Sequence, residues 1–135
     1  MKHLLLLIVL FSFFLSACDN RNKKITEYIS GSDSVAIKYY TGDGKMDNVV
    51  AVKIISDKKI IEQLAVMVGA DAMNEVNKCG YDGSLHFFKM NQVIQDIDFR
   101  MNDVNCMQFS FIQDGKIRAS SLKPEAKQLL ESVRK

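Results

Sequence analysis

Apolar and polar residues change rhythm several times along this chain, and each change marks an element. Val35, Ile37 and Tyr39 fall on one side of a six-residue run and Lys38 on the other, the period-two pattern of a half-buried strand. Thr41 to Asn48 is dense in turn formers. Val49 to Ile55 is strongly β-branched and reads as a second, well-buried strand, so the two make a hairpin. The rhythm then becomes helical. Ile60, Ile61, Leu64, Ala65, Met67 and Val68 recur at a helical period, Ser56 or Asp57 can cap the start, and Gly69 is a stop. Ala70 to Lys78 fits either a short helix or an irregular return, and Gly80-Tyr81-Asp82-Gly83 reads as a turn.

The second half returns to strand periods. Leu85 to Lys89 is apolar on both faces. In the next run Val93, Ile97, Phe99 and Met101 oppose Asp96, Asp98 and Arg100, so one face is expected to meet solvent. Met107, Phe109 and Phe111 alternate with Gln108 and Ser110, and Asp114-Gly115 is the strongest hairpin signal in the chain, leading into Lys116 to Leu122. Pro124 suits the first turn of a final helix lined by Ala126, Leu129, Leu130 and Val133. The order is strand, strand, helix, three or four strands, helix. Short connections favour antiparallel pairing. The expected class is α+β: a two-layer sandwich with an antiparallel sheet of five to six strands and two helices on one face.

The N-terminus has a different character. Met1-Lys2-His3 is a basic start, and Leu4 to Leu15 is an apolar run broken only by Ser12. That run is shorter than the roughly 20 apolar residues that span a bilayer, and it fits the core of a secretory signal peptide. Leu15-Ser16-Ala17-Cys18 follows, and at Cys18 the composition flips to Asp19-Asn20-Arg21-Asn22-Lys23-Lys24. These four residues resemble the lipobox of bacterial lipoprotein precursors, a Leu, two small residues and a Cys. The resemblance covers residues 1–18. It implies diacylglycerol attached through a thioether to Cys18, cleavage before Cys18, and acylation of the new amino group. Asp19 resembles the residue that retains enterobacterial lipoproteins in the inner membrane. The chain therefore divides into a signal peptide at 1–17, a lipidated cysteine and polar tether at 18–34 with a short ordered piece at Ile25 to Ile29, and one domain at 35–135. The expected location is the periplasmic side of the inner membrane, with the outer membrane as the alternative.

Composition narrows the functions. The chain has 135 residues and a formal net charge of +2, and Lys2 is the one charged residue within 1–17. A mature chain so near neutrality lacks the basic stripe of a nucleic-acid binder. Cysteine use fits export. With Cys18 taken by lipid, Cys79 and Cys106 remain, and two leftover thiols in an oxidising compartment are expected to bond. The loop they close is worth roughly 3.5 kcal/mol on the chain-entropy account.

Candidate chemistry is sparse. His86 is the one histidine beyond the signal segment, and a reactive Cys79 beside it lacks any nucleophile signature. Cys79, His86 and Cys106 make only three zinc ligands without close spacing. Asp43 to Asp47 resembles part of a calcium loop, but Tyr39 and Val50 stand where that loop needs carboxylates. No metal or other cofactor is expected. Asp96 and Asp98 share one strand face, and Tyr39, Tyr40, Phe87 and Phe88 supply aromatic bulk. The leading expectation is a non-catalytic envelope lipoprotein that binds, inhibits or helps assemble another envelope component. The alternative is an envelope enzyme using His86 with Asp82 or the Asp96–Asp98 face. A deep cleft holding His86 and a carboxylate favours the enzyme, and an open sheet face favours binding.

Overall fold

A computed structural model of the chain describes residues 22–135; the signal segment, Cys18 and Asp19 lie outside the described residues. The fold is α+β, as the changes of rhythm imply. Its elements in chain order are α1 (Lys23–Ser30), β1 (Ser34–Tyr40), β2 (Val49–Ile55), α2 (Lys58–Gly69), β3 (Ala72–Met73), β4 (Gly83–Lys89), β5 (Gln92–Arg100), β6 (Gln108–Gln113), β7 (Lys116–Ser121) and α3 (Pro124–Arg134). The strands form one open antiparallel sheet in the order β2-β1-β4-β5-β6-β7-β3.

Alternation sorts the strand residues onto two faces. Val35, Ile37 and Tyr39 of β1 join Leu85 and Phe87 of β4, Ile97 and Phe99 of β5, and Phe109 and Phe111 of β6 in one core. Ile25 and Ile29 of α1, Ile61, Leu64, Ala65 and Val68 of α2, and Ala126 and Leu130 of α3 complete that same cluster. The three helices thus bury their apolar stripes against one side of the sheet, which is what an amphipathic helix requires of a partner surface.

Local chemistry explains the helix ends. Asp57 caps α2 by accepting a 2.8 Å hydrogen bond from the Lys59 amide, and Pro124 opens α3 where a missing N–H costs nothing. Gly69 ends α2 against α1. A Cβ there would lie 1.6 Å from the Thr26 hydroxyl oxygen, so only glycine lets the two helices cross so closely. The Thr26 hydroxyl uses the approach to donate to the Ala65 carbonyl.

Four expectations are corrected. Val49–Ile55 is not a well-buried strand. As β2 it forms a sheet edge, with Val52 opposite Lys38 and Ile54 opposite Ala36 on the side the helices leave bare. Its β-branched run records strand preference, and burial was decided by its place in the order. Val93 does not share the buried face of β5. The register shifts between Phe87 and Phe88, so Ile94 packs against the core while Val93, opposite Phe88, is exposed. The strand count is seven rather than five to six, because the ambiguous 70–78 segment contributes the two-residue β3 alongside β7. The helix count is three rather than two. Lys23–Ser30 is not tether: Ile25 and Ile29 are buried in the core, and the short ordered piece expected there is a full part of the domain.

One end of the sheet is tied by polar contacts. Asp82 is buried, and its carboxylate accepts from Arg100, from the Met101 amide at 2.7 Å and from the Asn102 amide at 2.8 Å. The buried Gln108 side chain bonds the Asn77 backbone in both directions, with Nε2 donating to the carbonyl at 2.7 Å and Oε1 accepting from the amide at 3.1 Å. Beside them Cys79 and Cys106 lie at disulfide distance, their Cα atoms 6.1 Å apart. Tyr81 N–H donates to the Gly44 carbonyl, and Gly80, at φ +74°, passes so near Gly44 that a Cβ would fall 2.2 Å from that oxygen.

Candidate functional site

The side of the sheet away from the helices carries the chemistry. Because alternation is strict through β4 and most of β5, Ser84 and His86 point to this open face, as do Asp96 and Asp98 on the neighbouring strand. The ladder sets His86 opposite Asp96 and Ser84 opposite Asp98, and it continues from Asp98 to Ser110 on β6.

These neighbours form a hydrogen-bonded chain. His86 Nδ1 lies 2.5 Å from Asp96 Oδ1, and its Nε2 lies 2.9 Å from Ser84 Oγ. Ser84 Oγ is in turn 3.3 Å from the Tyr40 hydroxyl. With Asp96 accepting at Nδ1, the tautomer that carries its proton on Nδ1 leaves Nε2 to accept from Ser84. Both ring nitrogens and the serine hydroxyl are then satisfied.

Serine, histidine and aspartate in this order have the connectivity of an activated nucleophile, a base and an orienting group. The surroundings oppose that use. Ser84 is only 2 % exposed. Its strand is central in the sheet, and the ladders to β1 and β5 occupy β4's backbone donors, whereas acyl transfer needs free donors where an oxyanion would form. The Asp96 side chain is 68 % exposed, so water weakens its hold on the histidine. What the geometry does is hold His86 at both ring nitrogens, between Ser84 and Asp96, and keep a polar row ordered on the open face.

Asp98 behaves differently from Asp96. Among the described residues no hydrogen bond or ion pair reaches its carboxylate, while burial first, and the charge of Asp96 second, push its carboxyl above the usual range; His86 pulls the other way. Opposite it the Ser110 hydroxyl is buried and has no hydrogen-bond partner. Asp98 and Ser110 line a hollow of about 450 Å³ whose wall includes Tyr81, Val93, Ile112 and Ile117. Around the polar row, Val52, Ile54, Val93, Ile112 and Ile117 are exposed, Ile54 by 73 % and Ile117 by 67 %.

The residues singled out by sequence are dispersed. His86 and Asp96 meet, as the shared strand face allowed. Asp82 is no partner for His86, because both of its oxygens are occupied by Arg100 and the 101–102 amides at the sheet end. Cys79 and Cys106 pair with each other away from the histidine chain. Asp43 closes its own loop, accepting from the Thr41 hydroxyl and the Lys45 amide, and these bonds hold its carboxyl below the usual range. No group of three or more His, Cys, Asp or Glu residues is placed to hold a metal among the described residues. Ser84 and Ser110 were not singled out by sequence, and Tyr40 was singled out only as aromatic bulk. The i,i+2 spacing of Ser84 and His86 was a signal for the first, whereas Tyr40 and Ser110 join the row only through pairing of distant strands.

No helix among the described residues is long and apolar enough to cross a membrane. No family model matches the chain, and neither the curated proteins nor the solved structures contain a match to it.

Proposed function

We propose that this chain is an envelope lipoprotein, anchored by lipid on Cys18 at the periplasmic side of the inner membrane, whose domain is a non-catalytic binding module. The Leu15-Ser16-Ala17-Cys18 sequence supports the anchor, and Asp19 supports the inner membrane over the outer. The observation that carries the binding reading is the bare sheet face. Seven strands are covered by helices on one side only, and the other side exposes Val52, Ile54, Val93, Ile112 and Ile117 around an ordered polar row. Apolar groups gathered on one face of a soluble domain are a common mark of an interaction surface.

The anchor would hold the domain close to the membrane. From Cys18 to Asn22, which is buried in the fold, four peptide steps reach at most about 14 Å. A partner at the face would then be another component of the same membrane or its immediate periplasmic surface. The Cys79–Cys106 pair, in this reading, is a structural bond that fastens the sheet end.

The test is site-specific photo-crosslinking in intact cells. A photoreactive residue at Ile54 or Ile117 should give one discrete adduct, absent when the probe stands at Val66 or Tyr28 on the helices and lost when Val93→Glu is added. Equal adducts from both sides of the domain would remove the binding-face reading. The alternative, an envelope enzyme using His86 with a nearby carboxylate, is favoured by the Ser84–His86–Asp96 order. A fluorophosphonate probe that labelled Ser84, and failed to label His86→Gln, would put that enzyme in place of the binding module.

A further inference from the structure

We infer that the hollow on the open face binds a primary ammonium group carried on a short apolar stem, with Asp98 as counter-ion and Ser110 as a hydrogen-bond acceptor. The inference rests on the open face being a binding surface and names the chemistry that the face takes.

Two side chains in the hollow lack partners at once. The Asp98 carboxylate has no donor among the described residues, and it sits beside Asp96 on the sheet surface. The Ser110 hydroxyl, in a residue only 4 % exposed, has no partner either, although both groups line the same hollow and stand opposite each other in the β5–β6 ladder. Buried or half-buried polar atoms are rarely left unpaired, and when they converge on a cavity a ligand that completes them is the economical account. Burial holds the Asp98 carboxyl above its usual range, and a cation at this place would lower it again.

The chemistry of the ligand follows from what is offered. An ammonium brings three donors and one positive charge in a compact head. One unengaged carboxylate and one hydroxyl match that head, with the third donor free for water or the far oxygen of Asp96. A guanidinium spreads five donors over a wide planar fork, whereas the two unpartnered groups, Asp98 and Ser110, stand directly opposite each other and suit a compact head; Gln95, Asp96 and Tyr81 complete the polar part of the wall. A metal ion is not served by this group of ligands among the described residues. Val93, Ile112 and Ile117 make one part of the wall apolar and suit a short carbon stem, and Tyr81 adds an aromatic ring for a cation to approach. The volume, about 450 Å³, is at the small end of ligand cavities, so a stem of a few carbons fits better than a large ligand. A lysine side chain of a partner protein and an aminoethyl lipid headgroup both present this group.

The experiment is an NMR titration of the purified full chain with n-butylammonium, with n-butanol as the neutral comparator. Saturable shifts are expected at Asp98, Ser110, Ile112 and Ile117. Affinity should fall at least about tenfold in Asp98→Asn and with butanol, the loss that one charge-assisted bond sets. It should fall less in Ser110→Ala. The spectra of both variants report whether they are folded, and the butanol comparison decides the matter even if Asp98→Asn is not. Equal binding by butanol, unchanged binding in a folded Asp98→Asn, or no saturable shift would each overturn the inference. Tighter binding of Nα-acetyl-lysine amide than of phosphoethanolamine assigns a protein side chain as the source, and the reverse order assigns a lipid headgroup. If the titration fails while crosslinks from Ile54 and Ile117 remain specific, the ammonium site falls and the binding face stands. If the titration succeeds and crosslinks lack face specificity, the binding-module reading falls alone.

Discussion

The hydroxyl of Tyr39 donates a 2.6 Å hydrogen bond to the backbone carbonyl of Leu130, joining β1 to the last helix across 91 residues of sequence. The ring packs edge-on to Phe99, with centroids 6.0 Å apart, and Arg134 lies 5.2 Å from the Tyr39 ring centroid. Burial pushes the Tyr39 hydroxyl up to about 12, against a smaller opposing effect of Arg134.

Tyr39→Phe keeps the ring and removes the donor. It should cost about 1 kcal/mol at neutral pH, the usual net worth of such a bond. The raised folded value also fixes the sign of an alkaline effect. The unfolded chain loses this proton near 10, so the stability linked to it is complete below about pH 10 and lost as pH rises through about 12. Urea unfolding at about pH 8 and about pH 11 measures both effects. If parent and Tyr39→Phe lose stability equally between those two pH values, the assignment to Tyr39 is wrong.

Asp98 gives the opposite kind of variant. Its carboxyl is raised by burial, then by Asp96, so stability favours the protonated form. That contribution is present below the unfolded value near 3.9 and is lost as pH rises through the raised folded value. Asp98→Asn is therefore expected to be at least as stable as the parent at neutral pH, with the difference vanishing in acid below about pH 3.9. A neutral-pH loss of stability in Asp98→Asn would show that the carboxylate is engaged by the fold instead of facing the hollow.

The buried Asp82–Arg100 pair should be among the most sensitive positions in the domain. Asp82→Ala leaves a nearly buried guanidinium and the Met101 and Asn102 amides without their acceptor. Breaking such a pair from one side costs about 3–5 kcal/mol. Denaturant unfolding checks it, and a cost below about 1 kcal/mol would mean that water replaces the carboxylate freely.

Cys79 and Cys106 should hold no free thiol in the mature protein. Alkylation of denatured, unreduced chain should label neither, and the double variant Cys79→Ala, Cys106→Ala should lose roughly 2–5 kcal/mol. The loss should leave the crosslink from Ile54 intact, because β2 is an edge strand apart from the pair, whereas Ile117 shares a hollow with Cys79. Two thiols labelled without reduction would overturn the bonded reading.

Cys18→Ser should abolish incorporation of a fatty-acid analogue and leave an uncleaved precursor. In a host with enterobacterial sorting, Asp19→Ser should move the protein from inner to outer membrane on a density gradient. Normal labelling of Cys18→Ser, or an unmodified protein already in the outer-membrane fraction, would remove the anchor or the sorting reading respectively.

Much of this fold is written in local pattern. Period two placed β1, β5 and β6, a short run apolar on both faces placed β4, the Asp114-Gly115 pair at φ 52° and 72° made the tight β6–β7 turn, and apolar spacing with Asp57 and Pro124 placed α2 and α3. These features depend on residues a few positions apart, and sequence states such relationships directly. The Leu15–Cys18 resemblance to a lipobox is of the same kind, because adjacent residues carry it.

The candidate site belongs to another level. Which strand becomes an edge, and which face stays bare, depends on the order β2-β1-β4-β5-β6-β7-β3, and no local spacing encodes that order. Val49–Ile55 has the composition of an interior strand and lies outermost because β1 takes β4 as its other neighbour. His86 and Asp96, ten residues apart, could be matched through a hairpin. Tyr40, Ser84, Asp98 and Ser110 gather only when three inter-strand registers are fixed together, and the shift at Phe87/Phe88 must also be known to place Val93 beside them. Sequence alone determined most of the elements and the apolar sides of β1, β6, α2 and α3. Tertiary structure decided which polar residues share a surface, because strand pairing brings distant positions to within a few ångströms and burial then removes the water that would have satisfied them.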